Sequence, residues 1–158
     1  MVQILLLVTG TIAFPLGVEW VFNRRRALHH DHLLLLIATV IATGAILATN
    51  SHSLTNRNVN FIEHFAGGGV PSALMYLYLC RSFRLRFNWL QSLAGLFFFV
   101  SATGVLNELL EFVLDQTTSG VYSSDRWDTW YDLLANSLGA LLGWLIWKLL
   151  ASVRTIKP

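Results

Sequence analysis

Residues 107–143 read NELLEFVLDQTTSGVYSSDRWDTWYDLLANSLGALLG, and this stretch decides the fold. It joins the end of one apolar run to the start of another through a polar loop, and it carries six of the chain's nine acidic residues. Glu108, Glu111 and Asp115 fall at i, i+3 and i+7, while Asp128, Asp132 and Asn136 fall at i, i+4 and i+8. On helices, each set lies along one face. Both polar stripes run into strongly apolar sequence, where an ionisable side chain is costly unless it faces a bundle interior, a partner or a wet cavity. The two stripes are therefore expected to meet across the loop and to mark the functional end of an all-α molecule.

The rest of the composition agrees. The chain has 158 residues, 54% of them hydrophobic, with a mean hydropathy of +0.55. Its charges sit in short clusters between apolar runs of membrane-spanning length. A polytopic integral membrane bundle follows, organised as a single transmembrane domain over residues 1–158, with no room for a separate soluble domain. The net charge of +2 does not point to nucleic acid, because the Lys and Arg residues gather beside the apolar segments, where membrane orientation explains them. Cys80 is the only cysteine, so no internal disulfide forms and no thiolate metal site is spaced around it.

Five transmembrane helices are expected, at about 2–22, 33–49, 61–80, 89–114 and 129–151. The N-terminal run lacks the basic start and small-residue cleavage site of a signal peptide and reads as a retained helix, with Pro15 and Gly17 able to bend it. Between the first two helices, Arg24, Arg25 and Arg26 precede His29, His30, Asp31 and His32, a solvated polar loop in preference to a metal site. The third helix passes through Glu63, His64 and the run Gly67, Gly68, Gly69 before Pro71. Those glycines serve either the close approach of another backbone, the simpler choice, or a local break facing a cavity. His64 reads as an interfacial or hydrogen-bonded histidine before it reads as a ligand.

Counting by alternate loops, nine Lys and Arg residues fall with the Arg24 loop, the Arg81 loop and the C-terminus, and only Arg57 and Arg126 fall on the other side. The positive-inside rule then gives an outside N-terminus and an inside C-terminus, in a bacterial plasma (inner) membrane. Trp130 and Trp147 bracket the last helix with a rise of about 25 Å, close to the hydrocarbon thickness.

This topology brings Glu63, His64, Glu108, Glu111, Asp115, Asp128, Asp132 and Asn136 to one membrane face, where a shared outward-facing acidic cavity accounts for them. Interfacial charges with Asp125 or Asp128 capping the last helix explain the shallow residues but not Glu108 or Asn136. Several carboxylates in one poorly solvated pocket need compensation. A hard divalent cation, pairing with Arg126 or His64, or protonation of some carboxyls would supply it.

The segment DLLANSLGALLG, with an acidic residue on the preceding helix and a short external loop, resembles the VanZ-like superfamily of small bacterial membrane proteins. NFIEHFAGGGVPSAL resembles the His-Phe and glycine segment those proteins carry on an earlier helix. The likeness covers about residues 60–147 and implies His64, Glu108, Glu111, Asp132, Asn136 and Gly139 as the matching positions. Family members more usually carry Asp-Lys before the His-Phe, where this chain has Ile62 and Glu63. The NELLEF form with its longer loop is closer to an uncharacterised inner-membrane branch than to the teicoplanin-resistance namesake.

The expected function is binding or modification of an envelope lipid or glycolipid-like amphiphile, which the resemblance favours. The alternatives are a membrane enzyme using Glu108 or Glu111 as base and Asp132 as acid or metal ligand on a lipid head group, and a small ion or solute carrier. Gly139 and Gly143 form a GxxxG that serves either internal packing or a homo-oligomer. The topology predicts that cysteines placed at Ser53 and Ser119 react with a membrane-impermeant reagent in intact cells. Reaction only after lysis would reverse the orientation and with it the outward face of the cavity.

Overall fold

The computed structural model describes residues 9–22, 32–49, 56–117 and 126–155. Among them every element is helical. His29, His30, Asp31, Ser53, Ser119 and Asp125 lie outside the described residues, as does the side chain of Arg126. The first helix opens with a π-helical segment, Thr9–Ala13, and continues as α1, Phe14–Phe22. Pro15 has no N–H to donate to the carbonyl four residues back and its ring crowds that turn, which accounts for the widened winding just before it. Next come α2, His32–Thr49, and α3, Arg57–Glu63. A second π-helical segment, His64–Gly69, leads into α4, Val70–Ser82. The long helices α5, Trp89–Thr117, and α6, Arg126–Thr155, complete the bundle.

Among the described residues three helices, two fewer than the five expected, are long and apolar enough to cross a membrane, over His32–Thr49, Trp89–Thr117 and Trp127–Leu150. Their outer faces carry exposed apolar side chains, among them Leu36, Val40, Phe97, Phe98, Leu145 and Leu149. Such continuous apolar surface is matched to lipid. Residues 57–82 differ from the expected uniform helix in two ways. The helix begins four residues early, because the side chain of Asn56 caps it by accepting from the Asn58 and Val59 N–H groups at 3.0 and 3.4 Å. It is also rewound at the glycines, with the Val70 N–H donating to the Phe65 carbonyl five residues back. Backbone angles stay right-handed helical through both junctions, so α3, the π segment and α4 form one continuous rod.

That rod is clamped between α2 and α6 by its glycines. A Cβ on Gly67 would lie 3.0 Å from the Ala45 Cβ on α2, while one on Gly69 would lie 2.4 Å from the Asn136 carbonyl oxygen on α6. From the other side, a Cβ on Gly139 would lie 2.0 Å from the Phe65 carbonyl oxygen, and one on Gly143 would lie 3.2 Å from the Ala73 Cβ. Close packing is thus what the glycine run provides. Gly139 and Gly143 pack against the chain's own rod, which is the internal-packing use of this pair. Below the contact, Leu34, Leu35, Tyr76, Tyr78, Leu96, Val100, Ala140 and Trp144 form the apolar core.

The turn from α4 to α5 closes as a Schellman motif. The Leu85 N–H donates to the Cys80 carbonyl at 2.8 Å, with Arg84 in the left-handed conformation at φ 52°. Reciprocal bonds between Asn88 and Gln91, at 2.9 and 3.0 Å, then start α5 as a capping box. At this end Arg81 lies over the Trp147 ring at 4.4 Å and Lys148 over Trp144 at 5.4 Å, a pairing of cations and aromatics suited to a membrane boundary. Glu19 of α1 also sits here, accepting from the Tyr78 hydroxyl and from Ser82 Oγ, the latter at 2.5 Å.

Gly139→Ala is expected to lower thermal stability in detergent by about 1–3 kcal/mol or more, because the methyl meets backbone rather than a movable side chain. Gly17→Ala, where an added Cβ meets nothing within 4 Å, should leave stability equal or slightly raised. Equal melting temperatures for both variants would contradict the backbone clamp.

Candidate functional site

The polar groups of the opposite end gather around the first two turns of α6. Asp128, Asp132 and Asn136 are 8%, 2% and 5% exposed, so the i, i+4, i+8 stripe faces inward as its spacing implies. What meets it is Asn60, also buried, whose Nδ2 donates to Asp128 Oδ1 at 2.9 Å and to Asp132 Oδ1 at 2.7 Å. Each amide hydrogen thus serves one carboxylate. Because Asn56 starts the helix early, Asn60 and His64 stand at i and i+4 on the rod and match the i, i+4 pair of aspartates across from them. His64 Nε2 lies 3.5 Å from Asp132 Oδ2.

Glu108 reaches this group from α5. One ligand atom from each of His64, Glu108 and Asp132 lies within 4.8 Å of the others. Glu108 Oε1 and Asn136 Oδ1 are buried with no hydrogen-bond partner. The Asn136 oxygen is turned toward the glycine run, where a Cβ on Gly68 would lie 2.0 Å from it.

A cavity of about 380 Å³ adjoins these groups. Its polar lining includes Glu63, His64, Asn107, Glu111 and Asn136, and its apolar lining includes Phe14, Ile46, Met75, Leu106, Leu110 and Leu114. Phe14, Leu106 and Leu110 are 44%, 58% and 37% exposed, so α1 and α5 present an apolar rim on the lipid side. Glu63 Oε2 accepts from Thr49 Oγ1 at 2.6 Å, and Glu111 Oε1 accepts from Asn107 Nδ2 at 2.7 Å. No Lys or Arg is among the described lining residues.

The eight residues expected in one acidic cavity therefore divide. Glu63, His64, Glu111 and Asn136 line the cavity, whereas Glu108, Asp128 and Asp132 do not. Those three belong to a buried polar cluster that shares His64 with the cavity. Asp115 is neither a lining residue nor a member of that cluster. The division has a simple cause: at 3.6 residues per turn, Glu108 and Glu111 point about 60° apart, enough to separate them across a helix surface.

Asn60, Asn107 and Thr49 escape the sequence reading because neutral polar residues near helix ends look like ordinary boundary chemistry. For Asn60 a signal does exist in the helix-capping asparagine four residues earlier. Glu19 is likewise unanticipated, since its partners Tyr78 and Ser82 are about sixty residues away in sequence.

Asn60→Ala removes both donors from two buried carboxylates and is expected to cost about 2–5 kcal/mol. Asn107→Ala, whose bond is exposed and within one helix, should cost under about 1 kcal/mol. Thermal unfolding of the two purified variants checks the contrast, and equal losses would deny Asn60 its bridging role.

Neither the curated proteins nor the solved structures include a match to this chain. The family model described as "Predicted membrane protein (DUF2238)" matches residues 2–152, almost the whole length, and the chain belongs to that membrane-protein family.

Proposed function

We propose that this protein holds the head group of a membrane amphiphile in the cavity between α1 and α5, with the acyl or prenyl part leaving between Phe14 and Leu110 into the bilayer. The observation that carries the reading is the cavity's two-sided lining, hydrogen-bonding groups toward the rod and α6 and apolar side chains toward the rim. A site made only of structural polar contacts has no need of the apolar half.

Glu63 and Glu111 on the described lining narrow the ligand class, since a bare anionic phosphate would meet their carboxylates. A polyhydroxyl or cationic head group uses those carboxylates and Asn136 as acceptors. A glycolipid-like amphiphile fits both halves.

The five-span arrangement, outside N-terminus and bacterial plasma-membrane location belong to the same proposal. They put the cavity at the outer leaflet, and the charge bias of the loops supports them. The VanZ-like resemblance over residues 60–147 agrees with an envelope ligand and adds no activity of its own. Chemistry on the bound amphiphile is a separate claim, tested by turnover of labelled lipid with purified protein.

The binding claim is tested by extracting the lipids that co-purify with the protein and comparing them with the bulk membrane. One amphiphile class should be enriched with the parent protein and lost in Ser72→Trp, which fills the cavity. Glu111→Gln should reduce the enrichment while thermal stability holds. Bulk composition in the parent, or enrichment that survives Ser72→Trp in folded protein, would overturn the proposal.

A further inference from the structure

The geometry points to a divalent transition-metal site, best suited to Zn²⁺, formed by His64, Glu108 and Asp132 at the junction of the rod, α5 and α6. It stands on the donor groups and is independent of the amphiphile reading.

The donors first. One imidazole nitrogen and two carboxylate oxygens from three helices lie within 4.8 Å of one another. Ligands at about 2.0–2.1 Å from a tetrahedral ion stand about 3.4 Å apart. The 3.5 Å between His64 Nε2 and Asp132 Oδ2 is long for a hydrogen bond and fits that edge. Glu108, on a flexible stem, closes the remaining distance by a side-chain rotation of about an ångström. An imidazole with two carboxylates suits Zn²⁺ better than Ca²⁺ or Mg²⁺, which favour all-oxygen shells.

Two further observations point to a missing partner. Glu108 Oε1 is buried and has no hydrogen-bond partner, although buried carboxylate oxygens rarely go unmatched. Asn136, 5% exposed and one turn beyond Asp132, also leaves its Oδ1 unmatched, on the side of the glycine run. A cation among His64, Glu108 and Asp132 supplies positive charge to the Glu108 oxygen.

The surrounding contacts resemble the support a metal site needs. Asn60 engages Asp132 Oδ1 at 2.7 Å, which leaves Oδ2 turned to His64. Three protein ligands leave a fourth position open, and His64 is shared with the cavity lining.

The test uses full-length protein in detergent, stripped with a chelator and titrated with Zn²⁺, with bound metal measured by elemental analysis and stability by thermal unfolding. The parent is expected to bind a single ion per chain and to melt higher in its presence. Glu108→Gln and His64→Gln should each weaken Zn²⁺ binding about ten-fold or more. Glu63→Gln and Asp115→Asn, outside the donor set, should bind as the parent does. Glu108→Gln is the decisive variant because it preserves shape and breaks no hydrogen bond at the unmatched oxygen. A parent that binds no stoichiometric Zn²⁺, or triad variants that bind as tightly as the parent, would overturn the site and leave His64 and Asp132 as an ion pair. A parent protein that enriches its lipid yet binds no stoichiometric Zn²⁺ would sink this inference alone.

Discussion

The contact on which the molecule depends is the approach of two backbones, that of the rod at Phe65 to Gly69 and that of α6 at Asn136 to Gly139. Three glycines make it possible, since a single Cβ on Gly68, Gly69 or Gly139 would stand well inside contact distance of the opposite helix. In a bilayer there is little hydrophobic gain from pressing two helices together, so dispersion contacts and buried polar bonds must supply the association. The glycines serve both. They bring many backbone atoms to van der Waals distance and lower Asn136, Asp132 and Asp128 onto the polar residues of the rod.

Once the helices are that close, the polar chemistry becomes strongly constrained. Two buried aspartates one turn apart share one asparagine, which donates to both. That arrangement leaves oxygens over on Glu108 and Asn136. Natural interiors rarely tolerate such surplus acceptors, and ordered water, an ion, a ligand or local strain accounts for those that occur.

Much of this was legible in the sequence. The apolar runs of α2, α5 and α6 specify helices by length alone, and the aspartate stripe on α6 faces inward because a four-residue spacing admits no other face. The glycine run was readable as close packing, but that Gly139 stands opposite it was not, because a GxxxG does not name its partner helix. The π winding was not, because three consecutive glycines carry no periodicity from which to count. The separation of Glu108 from Glu111 was not either, since an i, i+3 pair fixes a shared side of a helix and says nothing about where a neighbouring helix divides it. Asn60 was hidden by a boundary error of one turn, which placed it in a loop. Shifting the helix start to Asn56 turns it into the residue that faces both aspartates.

The π segment also bears on how this chain tolerates changes in length. A π turn is equivalent to an α-helix carrying one surplus residue. Deleting a single glycine from 67–69 would let the rod rewind as a regular α-helix, with all its backbone bonds restored and little local cost. The widened turn absorbs that surplus residue, so the segments on either side of the deletion would keep nearly their present angular phase. Asn60 and His64 would still face Asp128 and Asp132, whereas deleting one residue from the regular α-helical part of the rod would turn them away by about 100°. The π segment therefore marks a stretch of the rod where one residue can be lost without disassembling the polar end.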